Sequence, residues 1–398
     1  MSEVMSHNHE PQPPKPPIDF ARLAVPGVRE LAPYQPGKPI EELRREYGVS
    51  RVIKLASNEN PLGPSPKAAQ AASEVLGEVH RYPDGNGFSL KAAIAGHHDL
   101  GVEQITLGNG SNDVLALIAQ AFLGPGRCSL FSAHAFAVYP LVTQAAGAEA
   151  RVVPALGSEA AQPYGHDLKA MAEALDEGVS VVFIANPNNP TGTWVSEPEL
   201  REFLAAVPPQ VVTVVDEAYF EYAASEPGYP DVSRWLADYP NLVVTRSFSK
   251  VHGLGGLRVG YALSHPQIAD LLNRVRQPFN CSAPAQAAAA ASLVDHEHIE
   301  RSVALNREQR EVLAKGLYEL GLSVLPSIGN FLTFSAGPHA AQINDGLLRS
   351  GVIVRPVDAY ELPGYIRVTV GTPAENRAFL SALAEQLEQW DGRSERLP

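Results

Sequence analysis

The chain has 398 residues, with 31 Lys and Arg against 44 Asp and Glu, for a formal net charge of −13. Hydrophobic residues make up 45% and charged residues 19%, the balance of a globular protein with room for more than one core. The acidic excess argues against nucleic acid or an anionic membrane as a general partner, no stretch reaches the length of a membrane span, and the only cysteines, Cys128 and Cys281, indicate buried thiols rather than a disulfide framework.

Residues 1–17 are polar and proline-rich and are expected to be disordered. They lack a basic-then-apolar leader pattern, so a cytoplasmic protein is expected. Residues 18–60 form an arm that joins a small domain. Within it the spacing predicts a helix over 40–47 stopped by Gly48, then a strand at 53–55 and a stiff loop, Ser57-Asn58-Glu59-Asn60-Pro61-Leu62-Gly63-Pro64. Arg81-Tyr82-Pro83-Asp84-Gly85 reads as a turn. Residues 61–290 alternate helix and strand patterns. A helix opens near Leu107-Gly108-Asn109-Gly110-Ser111-Asn112, where Ser111 or Asn112 serves as cap and the small residues leave backbone N–H groups open to an anion. Strands are expected at 128–131, 179–184, 211–215 and 242–245. Continuous apolar runs separated by helices indicate a mainly parallel sheet covered on both faces, an α/β fold. In such sheets ligands lie at the carboxyl ends of the strands. Three polar clusters follow three successive strands: Asn186–Gly192, Asp216–Tyr219 and Ser247–Lys250. Residues 291–398 read as a smaller α+β domain. Helices are expected at 285–291, 297–320 (with a break near Asp295), 338–350 and 374–390, and strands at 322–325, 330–335, 352–354 and 365–370.

The third cluster carries the chemistry. A lysine directly after a buried strand is costly if it stays charged; desolvation and nearby cations lower its pKa, and the neutral amine attacks carbonyls. Ser247, Ser249 and Arg258 supply two hydroxyl donors and a planar cation suited to a phosphate monoester. A cofactor that needs both an amine and a phosphate site is pyridoxal phosphate, held as a lysine Schiff base. Asp216, at a buried strand end, then pairs with the protonated ring nitrogen, and Tyr219 and Asn189 reach the phenolic oxygen. Asn189-Pro190 is a candidate cis peptide. Phe136 either stacks on the ring or packs in the core. Arg355 and Arg367, in the apolar strands of the small domain, call for a bound anion or an internal ion pair. His97, His98, His296 and His298 fall on polar helical stretches and are expected at the surface; no metal site is expected.

The motifs Asn186-Pro-Asn-Asn189-Pro-Thr-Gly192, Asp216-Glu-Ala-Tyr219 and Ser247-Phe-Ser-Lys250 with Arg258 resemble those of fold-type I pyridoxal-phosphate aminotransferases. The stretches around Tyr34, Leu55–Gly63, Arg81–Gly85 and Tyr365–Gly371 resemble, more narrowly, the histidinol-phosphate aminotransferase family. The likeness runs from about residue 25 to 390. It implies a large domain with a mainly parallel seven-stranded sheet and a smaller α+β domain. It implies that Lys250 holds the cofactor, Asp216 pairs the ring nitrogen, and Asn189 and Tyr219 contact the phenolic oxygen. Ser111, Asn112, Ser247, Ser249 and Arg258 then hold the phosphate, with Tyr82 reaching it from the other subunit of a homodimer. Tyr34, Arg355 and Arg367 bind the anionic end of the substrate. The implied reaction passes an amino group from L-histidinol phosphate to 2-oxoglutarate, giving glutamate. The family often has tyrosine in place of Phe136 and a carboxylate near Asn112. Alternatives on the same scaffold are an aromatic amino-acid aminotransferase and a decarboxylase of phosphorylated amino acids. A cofactor-binding DNA regulator is disfavoured by the acidic balance and the short N-terminal stretch.

Overall fold

A computed structural model describes residues 18–394; the disorder expected for residues 1–17 lies outside the described residues. The arm forms the helix Ile40–Tyr47, closed by Gly48 in the left-handed conformation (φ 67°), where a side chain would be strained. Strand β1 (Ile53–Lys54) follows. Then come β2 (Ile105–Gly108), β3 (Cys128–Ser132), β4 (Glu149–Val153), β5 (Val179–Ala185), β6 (Val212–Asp216), β7 (Leu242–Ser247) and β8 (Gly260–Ser264). These seven form one sheet in the order β2-β8-β7-β6-β5-β3-β4. Only β8 runs against its neighbours; the other pairings are parallel.

Strand alternation explains why the central runs are apolar throughout. In β5, Val182 and Ile184 enter the core on one face, while Val181 and Phe183 enter the core on the other. β6 and β7 divide in the same way, Val215 and Val244 to one side, Val214 and Val243 to the other. The chain steps from β3 outward to β4, then returns past β3 to β5 and continues to β6 and β7. The reversal opens a crevice at the carboxyl ends of β3 and β5.

A second sheet is made of β9 (Phe331–Ser335), β11 (Arg355–Pro356) and β12 (Tyr365–Thr369), in the antiparallel order β11-β12-β9. β10 (Val352–Ile353) pairs in parallel with β1, tying the arm to this part of the chain. A separate core lies here, with Leu313 and Leu317 of the helix His296–Glu319 packed against Phe334, Ile366 and Phe379. The preceding helix, Ala283–Leu293, instead sends Ala285, Ala288 and Leu293 to the large sheet. The chain changes cores at Asp295.

Several details depart from the sequence reading. Residues 322–325 make a single bridge, Val324 to Phe334, rather than a strand. β2, β4 and β8 were not separately expected; β4 is half-exposed at the sheet edge and carries no continuous apolar run. The cis peptide is Asn186-Pro187, not Asn189-Pro190. His298 is buried, with Nε2 3.1 Å from the Gly63 carbonyl, and His98 is half-buried with Nε2 2.9 Å from the Tyr261 hydroxyl. Their helices pack against neighbouring elements on those faces, which helical polarity alone did not reveal. Cys128 and Cys281 are free and buried. Among the described residues, no helix is long and apolar enough to cross a membrane, and no group of His, Cys, Asp and Glu is arranged to hold a metal ion.

One charge cluster braces the sheet close to its carboxyl edge. Arg246, 2% exposed, donates from Nε and Nη2 to Glu217 at 3.1 and 2.9 Å and from Nη2 to Asp231 at 2.8 Å. Its guanidinium also lies over the Phe220 ring at 3.4 Å. Glu217 is fully buried, and burial pushes its carboxyl up to about 7 while Arg246 pulls it down. Removing the arginine strands that acid. Arg246→Met should lower stability by about 3–5 kcal/mol, and adding Glu217→Gln should restore part of it, as read by the urea unfolding midpoint.

Candidate active site

The polar residues that follow β5, β6 and β7 converge. Asp216 ends β6, and parallel pairing sets it beside Ala185 of β5 and Thr245 of β7. Its carboxylate is 4% exposed and accepts from the Thr245 hydroxyl at 2.9 Å and the Tyr139 hydroxyl at 3.2 Å. Burial raises its pKa to about 6, against the pull of these two hydrogen bonds. Such a carboxylate is suited to a cationic partner.

Lys250 lies three residues past the end of β7. The residue borders a cavity, but protein surrounds its amine, and desolvation lowers the pKa to about 7, with Arg367 and then Arg258 adding to the shift. Nζ donates to the Ser57 carbonyl at 3.1 Å and stands 5.5 Å from the centre of the Tyr219 ring. The Tyr219 phenol is buried, and burial lifts its pKa to about 12. Asn58 Nδ2 donates to its oxygen at 2.8 Å.

An anion cradle adjoins the lysine. The helix Ser111–Phe122 begins after Gly110 and has no side-chain cap. Neither Ser111 nor Asn112 caps it, contrary to expectation, because both already lie inside the helix. Its first backbone N–H groups therefore remain available. A Cβ on Gly110, whose φ is 86°, would collide with the Arg258 guanidinium, and one on Gly260 would collide with the Ser111 nitrogen. Arg258 Nη1 donates to the Gly255 carbonyl at 3.0 Å and approaches the Ser249 hydroxyl at 3.4 Å. Ser247 Oγ accepts from the Ser249 N–H at 3.0 Å, which folds the loop back on the strand end.

The second sheet closes the site from the other side. β11 and β12 set Arg355 directly opposite Arg367. Like charges across a ladder repel, so the pair is suited to an anion. Arg367 is 6% exposed; it donates to Asn189 Oδ1 and, at 2.8 Å, to the Ala56 carbonyl, while its Nε has no partner. Arg355 is held at 2.6 Å by the Gln35 carbonyl, with the Tyr34 ring 5.8 Å away.

One cavity of about 270 Å³ collects these groups. Lys250, Asp216, Tyr219 and Asn189 line it, as do the anion-cradle residues Ser111, Asn112, Ser247, Ser249 and Arg258. Phe136, Tyr34, Arg355 and Arg367 complete the sequence-derived set. Phe136 is half-buried, 5.8 Å from Tyr139 in an edge contact. Tyr82 is the exception. It is 83% exposed, stacked on Phe279 at 4.7 Å, and does not line the cavity of its own chain. Sequence reading missed Tyr139 and Thr245, the partners of Asp216, and assigned no role to Asn58. Asn58 had a weak signal, an Asn inside a Pro/Gly-rich loop; it takes the left-handed conformation at φ 55°.

The chain is similar to known proteins over most of its length. The family model "Aminotransferase class I and II" matches residues 50–383. Histidinol-phosphate aminotransferase 2 of Pseudomonas fluorescens strain Pf-5 is 55% identical over 371 residues, 93% of this chain and 98% of the relative. Histidinol-phosphate aminotransferase 2 of Methylococcus capsulatus is 55% identical over 92% of this chain and 98% of its own length. The crystal structure of histidinol-phosphate aminotransferase from Sinorhizobium meliloti in complex with pyridoxal-5'-phosphate superposes with a TM-score of 0.83 at 27% identity, covering 92% of this chain and 98% of that one. The family-model match over residues 50–383 and 55% identity over 93% of the chain place this chain in the class I and II aminotransferase family, with histidinol-phosphate aminotransferases among its relatives.

Proposed function

We propose that this protein passes the amino group of L-histidinol phosphate to 2-oxoglutarate, giving imidazole acetol phosphate and glutamate, with pyridoxal 5'-phosphate as cofactor. The observation that carries the reading is the desolvated Lys250 amine facing an opposed arginine pair across one cavity. Relatives of the same function at 55% identity support the choice of substrate.

The residues present fit the cofactor. Asp216 is a buried carboxylate suited to a cation, the Ser111–Phe122 helix begins uncapped, and the missing Cβ at Gly110 lets the Arg258 guanidinium lie against that helix start. When bound, the cofactor supplies an electrophilic carbon and a protonated ring that delocalises negative charge from the substrate carbon. Arg258, Ser247, Ser249 and the backbone at Ser111 and Asn112 bind its phosphate. Asp216 would hold a proton at the ring nitrogen, and its burial would strengthen that ion pair. Asn189 and Tyr219 would serve its phenolic oxygen, and Phe136 would offer its ring an apolar face; all three line the cavity. Lys250 holds the cofactor covalently. Its amine, desolvated and with its pKa lowered to about 7, would also be suited to act as the general base of the reaction. Arg355, Arg367 and Tyr34 bind the anionic end, the phosphate of histidinol phosphate in one half-reaction and a carboxylate of 2-oxoglutarate in the other.

The reading includes a homodimer in which Tyr82 serves the partner's cofactor. The exposure of Tyr82, with exposed Leu76, Val79 and Phe88 nearby in sequence, supports it. Separate cores support a large unit spanning 61–290 and a small unit spanning 291–398, joined by the 18–60 arm. A biosynthetic role supports a cytoplasmic location.

Histidinol phosphate should bleach the absorbance of the bound cofactor in a single half-reaction. If phenylalanine or tyrosine bleaches it and histidinol phosphate does not, the substrate assignment is wrong. Lys250→Ala should abolish covalent capture of the cofactor, shown by mass spectrometry after borohydride treatment, and should slow turnover by at least about 10²–10⁴-fold. Refolded mixtures of Tyr82→Ala and Lys250→Ala chains should exceed the summed activity of the two parents, since one site of each mixed dimer keeps both native residues. In cofactor-free protein, acylation of Lys250 should reach half its maximal rate near pH 7. Arg367 lowers that value and Asp216 raises it, so Arg367→Met should move the midpoint up and Asp216→Asn should move it down. The unfolded chain keeps this proton up to about 10.5, so the Lys250 contribution to stability grows as pH rises from about 7 toward 10.5.

A further inference from the structure

We infer that Asn58 is a positioning residue for transamination: it accepts no proton from Tyr219 but donates to the phenol, turning the Tyr219 proton toward the cofactor's phenolic oxygen. The inference rests on pyridoxal phosphate as the cofactor and is independent of which amino donor is used.

Hydrogen-bond polarity carries the argument. The Asn58 backbone N–H donates to Thr369 Oγ1 at 2.9 Å. That hydroxyl therefore acts as acceptor toward the backbone, and its own proton goes to Asn58 Oδ1, 3.2 Å away. With Oδ1 committed to Thr369, the amide orientation is set, and Nδ2 faces the Tyr219 oxygen at 2.8 Å. An amide NH₂ only donates, so the phenol oxygen accepts and its proton is left for the cavity that Tyr219 lines.

The scaffold around Asn58 leaves this arrangement little freedom. Asn58 is 1% exposed and sits at φ 55°, a conformation that asparagine tolerates better than most residues. Its carbonyl accepts from Asn330 Nδ2 at 3.0 Å. Its two predecessors hold the other reactive groups: the Ala56 carbonyl accepts from Arg367 at 2.8 Å, and the Ser57 carbonyl from Lys250 at 3.1 Å. Three consecutive residues of the arm thus contact the anion-binding arginine, the lysine amine and the tyrosine hydroxyl. Ordinary loop function requires none of these contacts to end on a group of the site. Aspartate at this position would reverse the polarity, since a carboxylate accepts from the phenol and withdraws its proton from the cofactor.

The test titrates the absorbance of bound pyridoxal phosphate against pH, without substrate, in the wild-type holoenzyme, Asn58→Asp, Tyr219→Phe and the double variant. Loss of one donor to a charged acceptor corresponds to a shift of about one pH unit. Asn58→Asp should raise the midpoint by about that amount, and the shift should largely vanish in the Tyr219→Phe background. Asn58→Gly keeps the left-handed backbone and removes only the amide; it should shift the midpoint in the same direction by less, and it serves if the aspartate variant does not fold. A midpoint unchanged in both variants, or an Asn58→Asp shift that persists in full without the Tyr219 hydroxyl, overturns the inference. Absence of any cofactor absorbance band in the wild type would instead count against the cofactor reading on which it depends.

Discussion

The desolvated amine of Lys250 is the constraint on which the site depends. Burial alone favours the neutral form, and the positive charges of Arg367 and Arg258 add to it. A neutral amine is what carbonyl chemistry needs, and the same low-dielectric surroundings strengthen every charge contact near it. Asp216 experiences the same burial with the opposite consequence, because desolvation favours its protonated form. The two groups are thus pushed toward neutrality together, and a cation beside Asp216 would return it to its charged form. The hydrogen bonds from Thr245 and Tyr139 orient the carboxylate without neutralising it.

Parallel strand pairing supplies the precision. Ala185, Asp216 and Thr245 stand beside one another because β5, β6 and β7 are in register, so the residues just past them emerge at one edge. Two hydrophobic cores hold those strands from both faces, and the buried Arg246–Glu217–Asp231 cluster anchors the start of the β6–β7 edge loops. Loops mounted on such a base carry polar side chains without moving the strands beneath them.

The second sheet matters because the cavity has two walls. The Thr333 hydroxyl donates to the Pro190 carbonyl at 2.5 Å, Arg367 donates to Asn189, and the 56–58 segment bonds to groups on both sides. Arg367 and Lys250 are therefore connected through short polar contacts to the 56–58 segment rather than through the apolar cores. The Arg367 guanidinium is shared between Asn189 and the Ala56 carbonyl, so an anion placed there would compete with both for it.

Much of this was legible in the chain itself. Apolar runs such as Val211–Val215 and Leu242–Thr245 specify buried parallel strands, because only a sheet covered on both faces tolerates side chains that are apolar on both sides. Polar clusters placed directly after them specify where the chemistry lies, since strand ends open to the ligand crevice. Lys250, Asp216, Asn189 and Arg258 could thus be named from local pattern. Other features depended on residues far apart in sequence. That Tyr139 bonds Asp216, that Asn58 bonds Tyr219, that His298 is buried under Gly63, and that Arg355 stands opposite Arg367 are each set by strand order, register and helix packing. The sequence determined which chemical groups the protein has and which strand ends bear them. Only the tertiary structure decided which donor meets which acceptor, because hydrogen-bond polarity and desolvation are properties of neighbours in space, and local periodicity carries no record of them.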